Sequence, residues 1–290
     1  MEQNKITVPD IKERKKSGKK ITMLTAYDYP TALLVDKAEI DIILVGDSLA
    51  MVVLGYKDTV SVTMEEMLHH IKAVSGAVQR ALVIGDMPFG SYNVSIKEAI
   101  YNANRMMKEA KADCIKLEGG CRMAPVAKAI VEAGIPVQGH IGLTPQTASS
   151  LGGFKVQGKS FEAALALVED AKALEDAGCF SIVLEAIPSP IAKIITESIS
   201  IPTIGIGAGI DCDGQVLVTH DLIGLFDKFT PKFVKQYAKI SDIIFSSVSQ
   251  YKSDVENLQF PEEKHGFSMN QQEIEKLKEI INNTHKIMDS

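Results

Sequence analysis

Short runs of β-branched and aliphatic residues recur along this chain, and in most of them the apolar residues fall on both alternating positions. A strand of that kind has no face for water, which is the condition of a parallel sheet covered by helices on both sides. Seven such runs lie at 21–26, 40–45, 81–86, 114–118, 137–141, 181–185 and 202–206, and an eighth falls within 215–225. Helical patterns separate most of them. Thr63 can cap the helix expected over 64–80, and Glu66 three residues later completes a capping box. Over 161–177, Ala163, Leu165, Leu167, Val168, Ala171 and Leu174 make one broad apolar stripe that Gly178 ends. No dinucleotide fingerprint opens the first turn, so this α/β pattern predicts a closed (β/α)8 TIM barrel rather than an open doubly wound sheet. A barrel of about 250 residues fits within the 290 present.

Two joints are irregular. Residues 207–214 are too few for a crossover helix between the last two strands, and the first helix, at 30–37, is short. Past about residue 253 the pattern changes. Phe260-Pro261 ends a turn-like segment, and Asn270 opens a helix with Ile274, Leu277, Ile280, Ile281 and Ile287 on one side. The expected division is a catalytic barrel with its N-terminal lead-in over 1–267, then a C-terminal helical extension over 268–290 that packs on the barrel or on another subunit.

Charge and cysteine usage narrow the function. The 31 basic and 37 acidic residues leave a net charge of -6, which argues against nucleic acid as a partner. Residues 1–20 are at +4 and 268–290 at -1, so the middle carries -9. Any acidic chemistry belongs there. The basic run over 12–20 reads as a solvated lead-in, since no aromatic residue interleaves it. Cys114, Cys121, Cys179 and Cys212 form no CxxC pair and read as reduced thiols. The opening Met-Glu-Gln-Asn has no apolar leader core, and no apolar run approaches the ~20 residues of a membrane span. The expectation is a cytoplasmic protein without a membrane partner.

Polar residues at the C-terminal ends of barrel strands face the active site. The second strand runs into Asp47-Ser48, the third into Asp86, the fourth holds Lys116 and Glu118, the fifth His140, and the sixth closes at Glu185. Asp47, Asp86 and Glu118 come from consecutive strands, so closure brings three carboxylates together. Anions so placed repel unless a cation joins them, and hard oxygens suit Mg²⁺. Read singly, each could equally cap a helix. Lys116 shares a strand face with Glu118 and suits a substrate carboxylate, or else pairs with Glu118 itself. Glu185, across the mouth, could take a proton from carbon next to a carbonyl. His140, alone in its strand, reads more readily as a satisfied core residue than as a ligand. The glycines 205, 207 and 209 miss the dinucleotide spacing and could form a barrel phosphate loop instead. The adjacent His69 and His70 point apart on a helix, which is poor for joint metal binding.

The chain resembles the ketopantoate hydroxymethyltransferase family. The matching segments are Thr25-Ala26-Tyr27-Asp28, Val45-Gly46-Asp47-Ser48, Asp86-Met87-Pro88-Phe89-Gly90-Ser91-Tyr92, Lys116-Leu117-Glu118-Gly119-Gly120 and Gly139-His140-Ile141-Gly142-Leu143-Thr144-Pro145-Gln146. Stretches 152–158 and 204–209 and Asp213-Gly214-Gln215-Val216-Leu217-Val218 continue the series, which is specific as an ordered set. Residues 268–290 extend past the family's usual end.

The resemblance implies a Mg²⁺-dependent enzyme of pantothenate biosynthesis. It would transfer a hydroxymethyl group from 5,10-methylenetetrahydrofolate to 3-methyl-2-oxobutanoate, giving ketopantoate. Carried over by position, Asp47 and Asp86 hold the metal with Glu118 in its shell, and through it they bind substrate. Ser48 and Lys116 bind the keto acid, and Glu185 accepts the C3 proton to leave an enolate whose charge the metal stabilises. The family's decameric assembly implies a homo-oligomer. Two other readings compete. A phosphoenolpyruvate mutase or isocitrate lyase relative would need no folate, and its lyase members would need a reactive loop Cys. A silent scaffold would have no use for such costly polar groups.

Overall fold

The computed structural model describes residues 4–148, 152–153, 155–226 and 229–288, with side chains up to 282. The Ile287 side chain of the expected stripe and Phe154 of the 152–158 stretch lie outside what is described. Eight parallel strands close into a barrel in chain order: β1 (Ile21–Thr25), β2 (Ile42–Val45), β3 (Leu82–Asp86), β4 (Cys114–Lys116), β5 (Val137–Gly142), β6 (Ser181–Glu185), β7 (Thr203–Ile206) and β8 (Gly214–Leu217). β8 pairs back onto β1, Met23 opposite Val216. This is the predicted (β/α)8 TIM barrel.

The helices follow the sequence signals. α1 (Val8–Ser17) precedes the barrel, and α2 (Tyr29–Lys37), α3 (Leu49–Val52), α4 (Met64–Ala77), α5 (Ile96–Lys108), α6 (Ala124–Glu132), α7 (Phe161–Asp176), α8 (Ser189–Ser198) and α9 (Thr219–Leu222) lie between or after the strands. At the start of α4 the Glu66 N–H donates to Thr63 Oγ1 at 3.2 Å and the Thr63 N–H to Glu66 Oε2 at 2.7 Å, which is the expected capping box. Residues 207–213 join β7 to β8 without a helix, as their number requires.

Strand alternation sorts the side chains into two cores. Val83, Ile115, Ile182 and Leu184 point outward and pack with the helices. Leu82, Ile84, Cys114 and Val183 point inward, where Ile6 and Ile11 beside and within α1 join them. Each fully buried Ile or Leu contributes about 1.5–3 kcal/mol. The same inward parity, carried to the strand C-termini, ends in Asp86, Lys116, His140 and Glu185. The barrel interior is therefore apolar over much of its depth and ionic at one mouth.

The chain divides into two compact units, Met1–Ala238 and Lys239–Ser290. The second contains α10 (Ile240–Glu256) and α11 (Gln271–Met288), so the boundary expected at 267 falls inside it. The Phe260-Pro261 turn lies between these two helices. On α10, Ile243, Phe245, Val248 and Tyr251 are exposed. No described helix is long and apolar enough to cross a membrane.

Candidate active site

The site grows out of the strand ends. Asp86 pairs in register with Lys116 across β3 and β4, and Lys116 Nζ stands 2.8 Å from Asp86 Oδ1. Asp47 follows β2, and its N–H donates to Asp86 Oδ2 at 3.1 Å. Glu118, just past β4, brings Oε1 to 3.4 Å from His140 Nδ1 on β5. The other ring nitrogen, Nε2, lies 3.2 Å from Glu185 Oε2 at the end of β6. Asp47, Ser48, Asp86, Lys116, Glu118, His140 and Glu185 all line one cavity of about 520 Å³. Every residue singled out from the strand ends is thus in one place, and Lys116 pairs with Asp86 rather than with Glu118.

Ser48 stands at the wall, 2.8 Å from the Tyr27 hydroxyl. Gly142 faces Glu185 in register with φ +96°, and a Cβ there would come within 2.3 Å of the Glu185 carbonyl oxygen. Only glycine lets β5 and β6 approach so closely beside Glu185.

Burial dominates the electrostatics. It pushes the Asp47 carboxyl well above the usual range, and Asp86 and Glu118 push the same way against Lys116 and Gln146. Asp86 is raised too, since burial outweighs the Lys116 ammonium. For Glu118, burial is overcome by His140, Lys116 and the Gln146 N–H, and the carboxyl falls below its ordinary value. Burial also opposes the charge on Lys116, but Asp86, Glu118 and Asp47 hold that ammonium protonated. Burial and Lys116 push His140 down, yet its contacts with Glu118 and Glu185 win and lift it to about 9. His140 is therefore an imidazolium, buried and satisfied as the sequence reading allows, whose partners are two carboxylates carried by other strands.

Sequence reasoning passed over Gln146 and Tyr92. Gln146, on the single turn Pro145–Thr147 after β5, is buried, and its Nε2 donates to Asp47 Oδ2 at 3.0 Å. The Tyr92 hydroxyl donates to Gln146 Oε1 at 2.7 Å. No periodic signal marks either residue, since both reach the site from loops.

The residues present fit a hard divalent cation. Asp86 Oδ1 and Glu118 Oε1 are buried carboxylate oxygens, the first 2.8 Å from Lys116 Nζ and the second 3.4 Å from His140 Nδ1. When ionised, Asp47, Asp86, Glu118 and Glu185 exceed the charges of Lys116 and His140 by two. Among the described residues no group of three or more His, Cys, Asp or Glu side chains is arranged to hold a metal ion by itself. Mg²⁺ needs none, because it is commonly held by one or two carboxylates with substrate and water completing its shell.

Other signals resolve otherwise. His70 Nδ1 lies 2.6 Å from the Tyr27 carbonyl, which commits it to the backbone. None of the described residues lining the cavity is a Cys. Cys114, Cys179 and Cys212 are buried and Cys121 is exposed, so the reactive loop Cys of the lyase reading has no counterpart at the site.

Known proteins agree with one another. The family profile described as ketopantoate hydroxymethyltransferase matches residues 5–263. The 3-methyl-2-oxobutanoate hydroxymethyltransferase of Syntrophobacter fumaroxidans is 61% identical over 274 residues, covering 94% of this chain and 97% of its own. The protein of the same name from Heliobacterium modesticaldum is 60% identical, over 91% of this chain and 96% of its own. Among solved structures, phosphoenolpyruvate phosphomutase from Streptomyces platensis subsp. rosaceus superimposes with a TM-score of 0.60 at 13% identity, covering 97% of this chain and 99% of its own. A phosphonopyruvate hydrolase complexed with oxalate and Mg²⁺ does so with a TM-score of 0.60 at 12% identity, over 96% of this chain and 98% of its own. At such identities these two structures speak to the fold alone.

Proposed function

The chain belongs to the ketopantoate hydroxymethyltransferase family, and from that premise we propose its full reaction. It is a transferase that adds a hydroxymethyl group to 3-methyl-2-oxobutanoate, forming ketopantoate (2-dehydropantoate) for pantothenate biosynthesis. In our reading the one-carbon donor is 5,10-methylenetetrahydrofolate, the metal is Mg²⁺ and the proton acceptor is Glu185. The observation that carries this is the placement of Glu185 on the wall of the cavity that also holds Asp47, Asp86 and Lys116.

Asp47 and Asp86 would hold the ion, with Glu118 beside them. When bound, Mg²⁺ supplies electrostatic stabilisation for the negative charge that develops on the keto acid as C3 is deprotonated. Lys116, kept protonated by its carboxylate neighbours, attracts the substrate carboxylate. Ser48 Oγ, already 2.8 Å from the Tyr27 hydroxyl, offers the keto acid a hydrogen bond. Glu185 removes the C3 proton, and His140 at 3.2 Å fixes its orientation. C3 then forms a carbon–carbon bond to the one-carbon unit. Overall, C3 loses a proton and gains the carbon, both C–N bonds that hold that carbon to the carrier break, water supplies the hydroxyl group, and the C3 proton and the remaining water proton end on the two carrier nitrogens.

A cavity of about 520 Å³ exceeds the needs of a five-carbon keto acid, which supports a second, larger co-substrate. Phe229 and Phe233 suit its aromatic rings, and Lys155 and Lys232 suit a carboxylate tail. We extend the proposal to a homo-oligomer, supported by the exposed Ile243, Phe245 and Val248 of α10.

The test is ketopantoate formation from 3-methyl-2-oxobutanoate, with methylenetetrahydrofolate and Mg²⁺ each supplied or omitted. Product with all three and with no pair of them is expected. Equal product without the folate would overturn the donor, and equal product in chelator would overturn the metal.

A further inference from the structure

We infer that Gln146 is a positioning residue that decides which oxygens of Asp47 and Glu118 are left to a cation in the cavity. This rests on the metal reading given above for those acids. Gln146 is 2% exposed, and each polar group of its side chain is used. Its Nε2 donates to Asp47 Oδ2 at 3.0 Å and to the Met87 carbonyl at 2.9 Å, and its Oε1 accepts from the Tyr92 hydroxyl at 2.7 Å. Its backbone N–H donates to Glu118 Oε2 at 3.1 Å. One residue after β5 therefore ties together the ends of β2, β3 and β4.

The choice of oxygens has a consequence for binding. With Oδ2 of Asp47 and Oε2 of Glu118 engaged, the remaining acceptors are Asp47 Oδ1 and Glu118 Oε1. Glu118 Oε1 is buried, and its contact with His140 Nδ1, at 3.4 Å, is longer than those that engage the other two oxygens. An amide suits this work because it donates without charge. A Lys or Arg at the same place would neutralise the acids and compete with the cation, and a carboxylate would add repulsion. Tyr92 sets the amide's direction, since its hydroxyl hydrogen points Oε1 away from Asp47 and leaves Nε2 to face it.

The test replaces Gln146 by Met, which keeps the volume and removes the donors. Mg²⁺ is titrated calorimetrically into wild type and Gln146→Met with 3-methyl-2-oxobutanoate present and folate absent. Near-UV circular dichroism and thermal unfolding are followed alongside. The expected result is a folded variant whose Mg²⁺ affinity falls by about tenfold to a hundredfold, the range for partners that orient a metal's ligands. A purely structural role would lower the melting temperature and leave the Mg²⁺ affinity alone, and that outcome overturns the inference. If Gln146→Met loses its near-UV signal, Tyr92→Phe decides, because it keeps the ring and removes the hydroxyl that directs the amide, a hydroxyl that also lies 3.3 Å from the Glu118 N–H and carbonyl. A smaller loss of Mg²⁺ affinity in that variant supports the inference, and unchanged affinity overturns it. Absence of Mg²⁺ binding by the wild type would overturn the metal reading itself, a result distinct from equal binding by wild type and variants.

Discussion

Glu185 Oε2 lies 3.2 Å from His140 Nε2, so the proposed proton acceptor is held by an imidazolium. The opposite nitrogen of the same ring is 3.4 Å from Glu118 Oε1. With its pKa lifted to about 9, His140 is charged at neutral pH and compensates two carboxylates at once. His140→Leu removes that compensation from groups that remain buried or half-buried. Loss of one partner of such a pair costs about 3–5 kcal/mol. Urea unfolding of the metal-free protein at pH 7 measures it, and a loss below about 1 kcal/mol would show that His140 does not hold the carboxylates.

Asp47→Ala and Asp86→Ala should each weaken Mg²⁺ binding at least tenfold, or ~1.4 kcal/mol. Calorimetry giving wild-type affinity for both would remove the metal site. Stability should move the other way. A carboxyl raised in the folded state destabilises the fold once pH climbs past its unfolded value, so at pH 7 the Asp47 carboxyl works against folding. Asp47→Asn should therefore raise the melting temperature of the metal-free protein, and a fall would contradict the electrostatics.

Gly142→Ala tests the approach of β5 to β6. The new Cβ would meet the Glu185 carbonyl oxygen at 2.3 Å and Ile187 Cγ1 at 2.8 Å, from a backbone at φ +96°. Backbone strain there and displacement of Glu185 should lower stability by about 1–3 kcal/mol and activity along with it. An alanine variant with wild-type turnover would mean that Glu185 tolerates the shift.

Thiol chemistry separates this enzyme from a lyase with a reactive loop Cys. Cys114, Cys179 and Cys212 are buried, and burial pushes the Cys179 thiol up to about 12. Cys121 is exposed, though partial burial and Asp170 raise its thiol as well. Iodoacetamide at pH 8 should label the native protein at Cys121 alone, slowly and without loss of activity. Rapid labelling with inactivation would contradict this.

The barrel was legible because runs such as 42–45 are apolar on both faces, and the site because Asp86, Lys116 and Glu185 continue the inward parity of Ile84, Cys114 and Val183. Parity along one strand says nothing about a partner on another. That is why the partners of His140 stayed hidden and why Gln146 and Tyr92, carried by loops that fold over the strand ends, left no periodic trace. The unit boundary at Ala238 was invisible for a similar reason. α10 groups with α11 through contacts that no periodicity records. Substrate and donor came from the family resemblance, which no spacing of carboxylates would have supplied.

The most direct measurement is exchange of the C3 hydrogen of 3-methyl-2-oxobutanoate in D₂O, followed by proton NMR with Mg²⁺ present and folate absent. Wild type should exchange it. Glu185→Gln should bind Mg²⁺ and keto acid normally by calorimetry and lose exchange by about 10²–10⁴-fold, the usual contribution of a positioned general base. Exchange at the wild-type rate in Glu185→Gln would contradict the assignment of Glu185 as the proton acceptor.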